Sequence, residues 1–465
     1  MAPFVHFFKT KNNYYMFDVN TNAIKKVSKE FVATFNKQDK LNMKSCSKKV
    51  RNEYNDLIAK GLMCNNQIKK IQYNMTSEDK SRLTRGMHLM ILQVTQSCNL
   101  RCSYCIYTDN NGIGRFHNNI SMSKETIKKS IDVLSEYSID SEEINISFYG
   151  GEPMLNFELI KYGVNYAKDI FKDKTLTFNM TTNGTLFNDE NLKFLEDNNF
   201  ALLISIDGNK EIHDQNRKFK KNKKLSVFDL VLSNIKLIKK KYPKLFSSLQ
   251  ISTVIDQRKT IDEYFKYDEE TRVLQDIPKI ISTIDYTTAK NKIKSSYEFA
   301  EQYEYYKFLT YLDLLGKIEF NDLSLKLLSE SNCIRILDGL DAFRSVNTTD
   351  YPTGNCLFGN HRLMVDVNGN FLPCERVAEI PENYIGNIYD GLNIKKIEEL
   401  QNCVKANSER CKKCYAIHNC TLCLKQYDIF ESDNKYFNDL CENVKRAFER
   451  ELYSIATLNE IFNNQ

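Results

Sequence analysis

The sequence predicts an α/β protein built on a parallel sheet or barrel, flanked by a small antiparallel module and a cysteine-rich C-terminal region. Two patterns carry that prediction. Between Met87 and about residue 256, buried-strand runs alternate with helical runs, as a parallel α/β core requires. Before that core the runs are short, β-prone and divided by turn residues, and after it the cysteines accumulate.

The N-terminal module spans residues 1–75. "FVHFF", "YYMFDV" and "AIKKVS" read as strands, with "KTKNN" and "NTN" as turns between them. Helices follow around "SKEFVATFNK" and "KKVRNEYNDLIAKGL", and the polar stretch Asn74–Arg85 reads as a linker. The core spans residues 86–310. Its expected strands are "HLMILQVTQ", "EEINISFYG", "LTFNMTTNG", "ALLISIDG" and "SLQISTVID". Its expected helices are "SKETIKKSIDVLSEY", "NFELIKYGVNYAKDIFK", "DENLKFLEDN" and "VFDLVLSNIKLIKKK". A bridging region covers 311–355, a cysteine-rich domain 356–445 and a helical tail 446–465.

At 465 residues the chain has room for about three domains. No apolar run approaches the ~20 residues of a membrane span, and the start lacks the pattern of a signal peptide. The expected location is cytoplasmic, with no membrane partner. The net charge of +5, from 65 basic and 60 acidic residues, is too mild to imply nucleic acid. The run "RKFKKNKK" (Arg217 to Lys224) reads as a solvated face, or as a dock for an acidic peptide or electron carrier. Of 14 cysteines, three lie between 98 and 105 and eight between 356 and 441. In a reducing compartment, clustered thiols suggest metal more than disulfides.

"QSCNLRCSYC" places Cys98, Cys102 and Cys105 just past the first core strand. Structural zinc normally wants four ligands, and this loop offers no obvious fourth; His117 lies twelve residues beyond Cys105. Three thiolates on a [4Fe–4S] cluster would leave one iron open. The CxxxCxxC spacing, with aromatic Tyr104 before the third cysteine, resembles the radical S-adenosylmethionine (SAM) enzymes. "YGGEP" after the second strand (Gly150, Gly151, Glu152, Pro153), "TTNGT" after the third (Asn183) and "SIDG" after the fourth (Ser205, Asp207) strengthen the resemblance, as does Arg217 in "HDQNR".

The resemblance implies a partial (β/α)6 TIM-like barrel with the site at the C-terminal ends of its strands. It also implies SAM on the open iron of one [4Fe–4S] cluster, a 5′-deoxyadenosyl radical, and a flavodoxin- or ferredoxin-type electron donor. Tyr104, Gly150, Gly151, Glu152, Pro153, Asn183, Ser205, Asp207 and Arg217 would form the SAM site.

The C-terminal pattern Cys356–x12–Gly369–x4–Cys374, then "CKKCYAIHNCTLC", then Cys441, resembles the SPASM domain. One spacing departs from the pattern, because two residues rather than three separate Cys420 from Cys423. By that resemblance Cys411, Cys414, Cys420 and Cys441 would hold one auxiliary [4Fe–4S] cluster, and Cys356, Cys374 and Cys423 another. Cys333 or His361 would complete the second set, or the site would stay open to a substrate thiolate. Zinc, for which paired CxxC units are also suited, is the alternative. The N-terminal module resembles the winged-helix-like recognition element of ribosomal-peptide maturases, which adds a leader peptide to a sheet edge. The expectation is therefore a maturase of a ribosomally made precursor peptide, forming cysteine thioether links. The runner-up is an anaerobic sulfatase-maturing enzyme that forms formylglycine, a class that generally lacks the recognition module, or another SPASM peptide modification such as C–C crosslinking.

Overall fold

The computed structural model describes all residues except 1–2, 36–45, 108–114, 267, 285–294, 322–345, 353–355, 404–407, 428–433 and 463–465. The chain divides into two compact units. One comprises Met1–Asn74, Ser331–Cys356 and Glu398–Gln465; the other comprises Met75–Glu330 and Leu357–Ile397.

In the first unit, β1 (Val5–Lys9), β2 (Tyr14–Asp18) and β3 (Ala23–Val27) form an antiparallel sheet in that order. Period-two alternation sends their side chains to two faces. Met16 and Val27 pack with Phe31 and Val32 of α1 (Lys29–Phe35) and Val50 and Leu57 of α2 (Lys48–Ala59). Phe8, Tyr15 and Phe17 pack on the opposite side with Cys411, Ala416 and Ile417, and with Phe448, Leu452 and Ala456 of the C-terminal helix Asn434–Phe462. Residues from the two ends of the chain thus close one apolar core. At the hairpin tip, the Glu460 carboxylate accepts hydrogen bonds from Thr10, Asn13 and Tyr15 at 2.6–2.8 Å. Strand β4 (Lys70–Ile71) pairs in parallel with Thr349–Asp350.

The second unit opens where the sequence predicts a linker, but Ser77–Arg85 is a helix, α3. Thr76 and Asp79 form a reciprocal capping box, which satisfies two of the orphan donors that a short polar helix exposes. The core then follows the expected alternation: β5 (Leu89–Thr95), α4 (Lys124–Tyr137), β6 (Glu143–Gly150), α5 (Phe157–Ile170), β7 (Thr175–Thr182), α6 (Asp189–Asp197), β8 (Phe200–Ser205), α7 (Lys210–Asn216), α8 (Val227–Lys241) and β9 (Gln250–Ile255). A further strand absent from the sequence reading, β10 (Lys279–Thr283), completes six consecutive parallel neighbours.

The strand Leu363–Val365 adds in parallel beyond β5, and Phe371–Leu372 pairs antiparallel with it. The expected domain boundary at 356 therefore does not follow the packing, because residues 357–397 extend the core sheet and unit. On one face of that sheet, Phe148, Phe178 and Phe200 stack across β6, β7 and β8 with centroids 5.4–6.3 Å apart, a cross-strand apolar ladder. The other face carries half-buried Asn145, Ser147, Tyr149, Asn179 and Thr181. That polar face leads to the strand ends where the motifs sit.

Candidate active site

Thr95 ends β5, and the three-cysteine loop begins three residues later. The end of β6 fixes the root of that loop. The Gly151 N–H donates to the Thr95 carbonyl and the Glu152 N–H to the Ser97 carbonyl, both at 2.8 Å. Such close approach excludes side chains: a Cβ on Gly150, at φ +148°, would sit 2.2 Å from the Thr95 oxygen, and one on Gly151 would sit 2.3 Å from the Ser97 oxygen. Glycine is required at both positions. Pro153 starts the single turn Pro153–Asn156.

Glu152 is buried and gathers the next strand. Its Oε1 accepts from the Thr182 hydroxyl at 2.7 Å and the Met154 N–H at 3.1 Å, and its Oε2 accepts from the Asn183 N–H at 2.7 Å. Burial pushes its carboxyl up to about 7 against the pull of these donors. The Asn183 amide donates to Asn99 Oδ1 at 2.8 Å and lies 3.9 Å from Cys98 Sγ. Thr185 donates to Asn183 Oδ1 and accepts from Asn99 at 2.8 Å. Asn99, Thr182 and Thr185 are the members of this net that motif reading passed over; each lies one or two residues from a motif residue.

Asp207 lies two residues past Ser205, fully buried. Its carboxylate takes the Arg217 guanidinium at 2.9 and 3.1 Å, the Val254 N–H at 3.1 Å and the Tyr104 hydroxyl. Burial alone would raise Asp207, but Arg217 overrides it and holds the carboxyl below its usual range. The Arg217 guanidinium carbon lies 5.5 Å from the Tyr104 ring centroid. The resemblance placed all three side chains at SAM; the structure adds that they form one ion-paired unit. Ser205 stands half-buried at the end of β8.

Burial pushes the Cys98 and Cys102 thiols up to about 12 and also raises Cys105. Unaided, none is a thiolate near neutral pH, so the loop needs a cation to hold sulfur in its ligating form. The thiols are near enough to perturb one another. Yet no three His, Cys, Asp or Glu side chains among the described residues close around a single-ion position. His117 Nε2 lies 3.8 Å from Cys105 Sγ. Behind the loop, Glu379 accepts from the Gln93 and Gln96 amides at 2.9 and 2.7 Å, beside Arg115 at 3.7 Å. No short-range signal links Glu379 to Gln93 across 286 positions.

In the other unit, Cys411, Cys414, Cys420 and Cys441 line a small pocket, partly open to solvent, with Arg410 and Lys445 on its wall. Burial raises all four thiols, Cys411 and Cys420 to about 12. Cys423 is close enough to act on Cys420. Exposed Cys356 belongs to this unit, whereas Cys374 and exposed His361 belong to the core unit. Cys333 lies outside the described residues. None of the thirteen described cysteines forms a disulfide.

These features define a cluster-binding α/β enzyme core. Residues 92–262 match the family model of the radical SAM superfamily. It is similar to the cysteine-type anaerobic sulfatase-maturating enzyme of Clostridium novyi, with 26% identity over 392 residues, 80% of this chain and 97% of the relative. The Clostridium perfringens (strain 13) enzyme of that type is 28% identical over 396 residues, covering 81% and 99%. The fold is similar to that of native anSMEcpe with bound AdoMet and the Kp18Cys peptide: TM-score 0.56, 21% identity, 82% of this chain and 99% of that one.

Proposed function

We propose that the protein is a radical SAM enzyme that oxidises a side chain of a peptide or protein substrate. The observation that carries this reading is three half-buried thiols in one strand-end loop, with the Asn183 amide 3.9 Å from Cys98 Sγ and the Asp207–Arg217 pair holding Tyr104 beside Cys105. Cys98, Cys102 and Cys105 would hold a [4Fe–4S] cluster. With SAM bound, the pair would supply the radical chemistry that removes hydrogen from the substrate.

The chain's own groups position the cofactor. Glu152, fixed by three donors, would hold the SAM amino group, and Asn183 and Ser205 would offer polar contacts. Arg217, held by Asp207, would serve the SAM carboxylate, and Tyr104 is locked by its hydrogen bond to Asp207. Cys411, Cys414, Cys420 and Cys441 hold one auxiliary [4Fe–4S] cluster.

The relatives shift the weight away from the expected thioether chemistry and towards formylglycine formation, since full-length sulfatase-maturating enzymes align with four-fifths of this chain. One observation favours thioether formation on a leader-bearing peptide as a second reading. β3 ends the order of a three-stranded sheet that, with α1 and α2, fits a winged-helix-like recognition module. Six successive parallel strands of the core, β5–β10, fit a partial (β/α)6 barrel.

The test is anaerobic turnover with dithionite, SAM and two cysteine-containing peptides, a sulfatase-type segment and a leader-bearing peptide. A product aldehyde trapped by hydrazide on the first supports formylglycine formation. Loss of a pair of hydrogens without an aldehyde, on the leader-bearing peptide alone, supports the thioether. A colourless protein carrying far fewer than the ~12 irons of three cubane clusters, with no SAM cleavage, sinks both.

A further inference from the structure

The first part of the basic run at residues 217–224 pairs with the three-cysteine loop. The Arg101 N–H donates to the Lys218 carbonyl and the Lys220 N–H to the Asn99 carbonyl, both at 2.8 Å, and the Ser103 N–H donates to the Asn216 carbonyl at 2.9 Å. Leu100 and Phe219 form the antiparallel bridge between these contacts. Asn99, Leu100 and Arg101 are the residues between Cys98 and Cys102, so residues 216–220 act as a strand laid along the ligand segment. Alternation then sorts the side chains. Arg217 is buried on Asp207, whereas Lys218 and Lys220 are exposed. Lys221, Lys223 and Lys224 continue the exposed row. Lys210 and Arg217 take the ion pairs of this region; none of these five lysines is in an ion pair among the described residues.

Five unpaired cations at one edge of the cluster loop are more than a solvated face needs. We propose that Lys218, Lys220, Lys221, Lys223 and Lys224 form the docking face for an acidic one-electron carrier of the ferredoxin or flavodoxin class. This rests on the radical SAM reading above and names the partner of that same site. The carrier gives up one electron and the cluster held by Cys98, Cys102 and Cys105 gains it, with no bond made or broken. Complementary charge raises the encounter rate and orients the partner.

The test uses the full-length, cluster-loaded protein and the K220E/K221E/K223E variant. Each is mixed anaerobically with a pre-reduced acidic ferredoxin or flavodoxin, and separately with dithionite, while bleaching of the cluster absorbance is followed. Carrier binding is measured by calorimetry. The variant is expected to be reduced by the carrier about tenfold more slowly at low ionic strength and to bind it more weakly. Salt should slow the wild type and spare the variant, and dithionite rates should match. Equal carrier rates overturn the proposal, as does an equal loss with dithionite, which would mean a distorted loop. Weakened binding of an acidic peptide with unchanged carrier reduction also overturns it and assigns the face to the peptide. If the wild type with dithionite does not cleave SAM, the radical SAM reading itself fails.

Discussion

At the residue scale, the site depends on two buried carboxylates in opposite states. Asp207 stays ionised because Arg217 offsets its burial. Asp207→Asn leaves that guanidinium buried without its counter-charge, so about 3–5 kcal/mol of stability should be lost, read by denaturant unfolding of the anaerobic protein. Glu152 is the reverse case, with its carboxyl raised from 4.5 to about 7. The folded chain therefore holds a proton that the unfolded chain releases between those values. Stability should fall as pH rises through that window, by up to roughly 3 kcal/mol, and then level off. Glu152→Gln cannot titrate, so its curve should lack this component. Parallel curves between pH 4.5 and 7 would mean that Glu152 is ionised throughout.

At the element scale, the two glycines after β6 join two strand ends with no space for a methyl group. Gly151→Ala should displace Ser97 and the cysteine loop. The expected loss is the iron of one cluster in three, with SAM cleavage abolished and the auxiliary signals kept in electron paramagnetic resonance spectra. Thr76→Ala removes the cap of α3 and should cost about 1 kcal/mol in unfolding experiments. That helix also shows how a sequence reading goes astray. Asn74–Arg85 has few apolar residues, so periodicity was silent, and the cap lay in Thr76 and Asp79. The strands β5–β9 were legible as apolar runs, and β5–β8 lead into motif residues. β10 was not, because three of its five residues are exposed. The cysteine loop, GGEP and Asn183 could be read from spacing, whereas the Glu379–Gln93 contact depends on packing between distant segments.

At the scale of the whole molecule, the N-terminal sheet is no detachable appendage. Phe17 is buried against Phe448, with ring centroids 5.2 Å apart, in the core that includes Cys411. Phe17→Ala should cost about 3–5 kcal/mol and perturb the auxiliary cluster before the one at Cys98. Thermal unfolding followed with iron spectroscopy would separate the two. Deleting residues 1–75 would strip this core as well as any leader-binding edge, so comparing substrates is the cleaner way to probe recognition.

The shared core also imposes an order on synthesis. The face carrying Phe8, Tyr15 and Phe17 is made long before its cover, the helix carrying Phe448, Leu452 and Ala456. Cys441 arrives on that same helix. The apolar face must wait unpaired while the intervening core is synthesised, and the four-cysteine set is complete only when that helix has emerged.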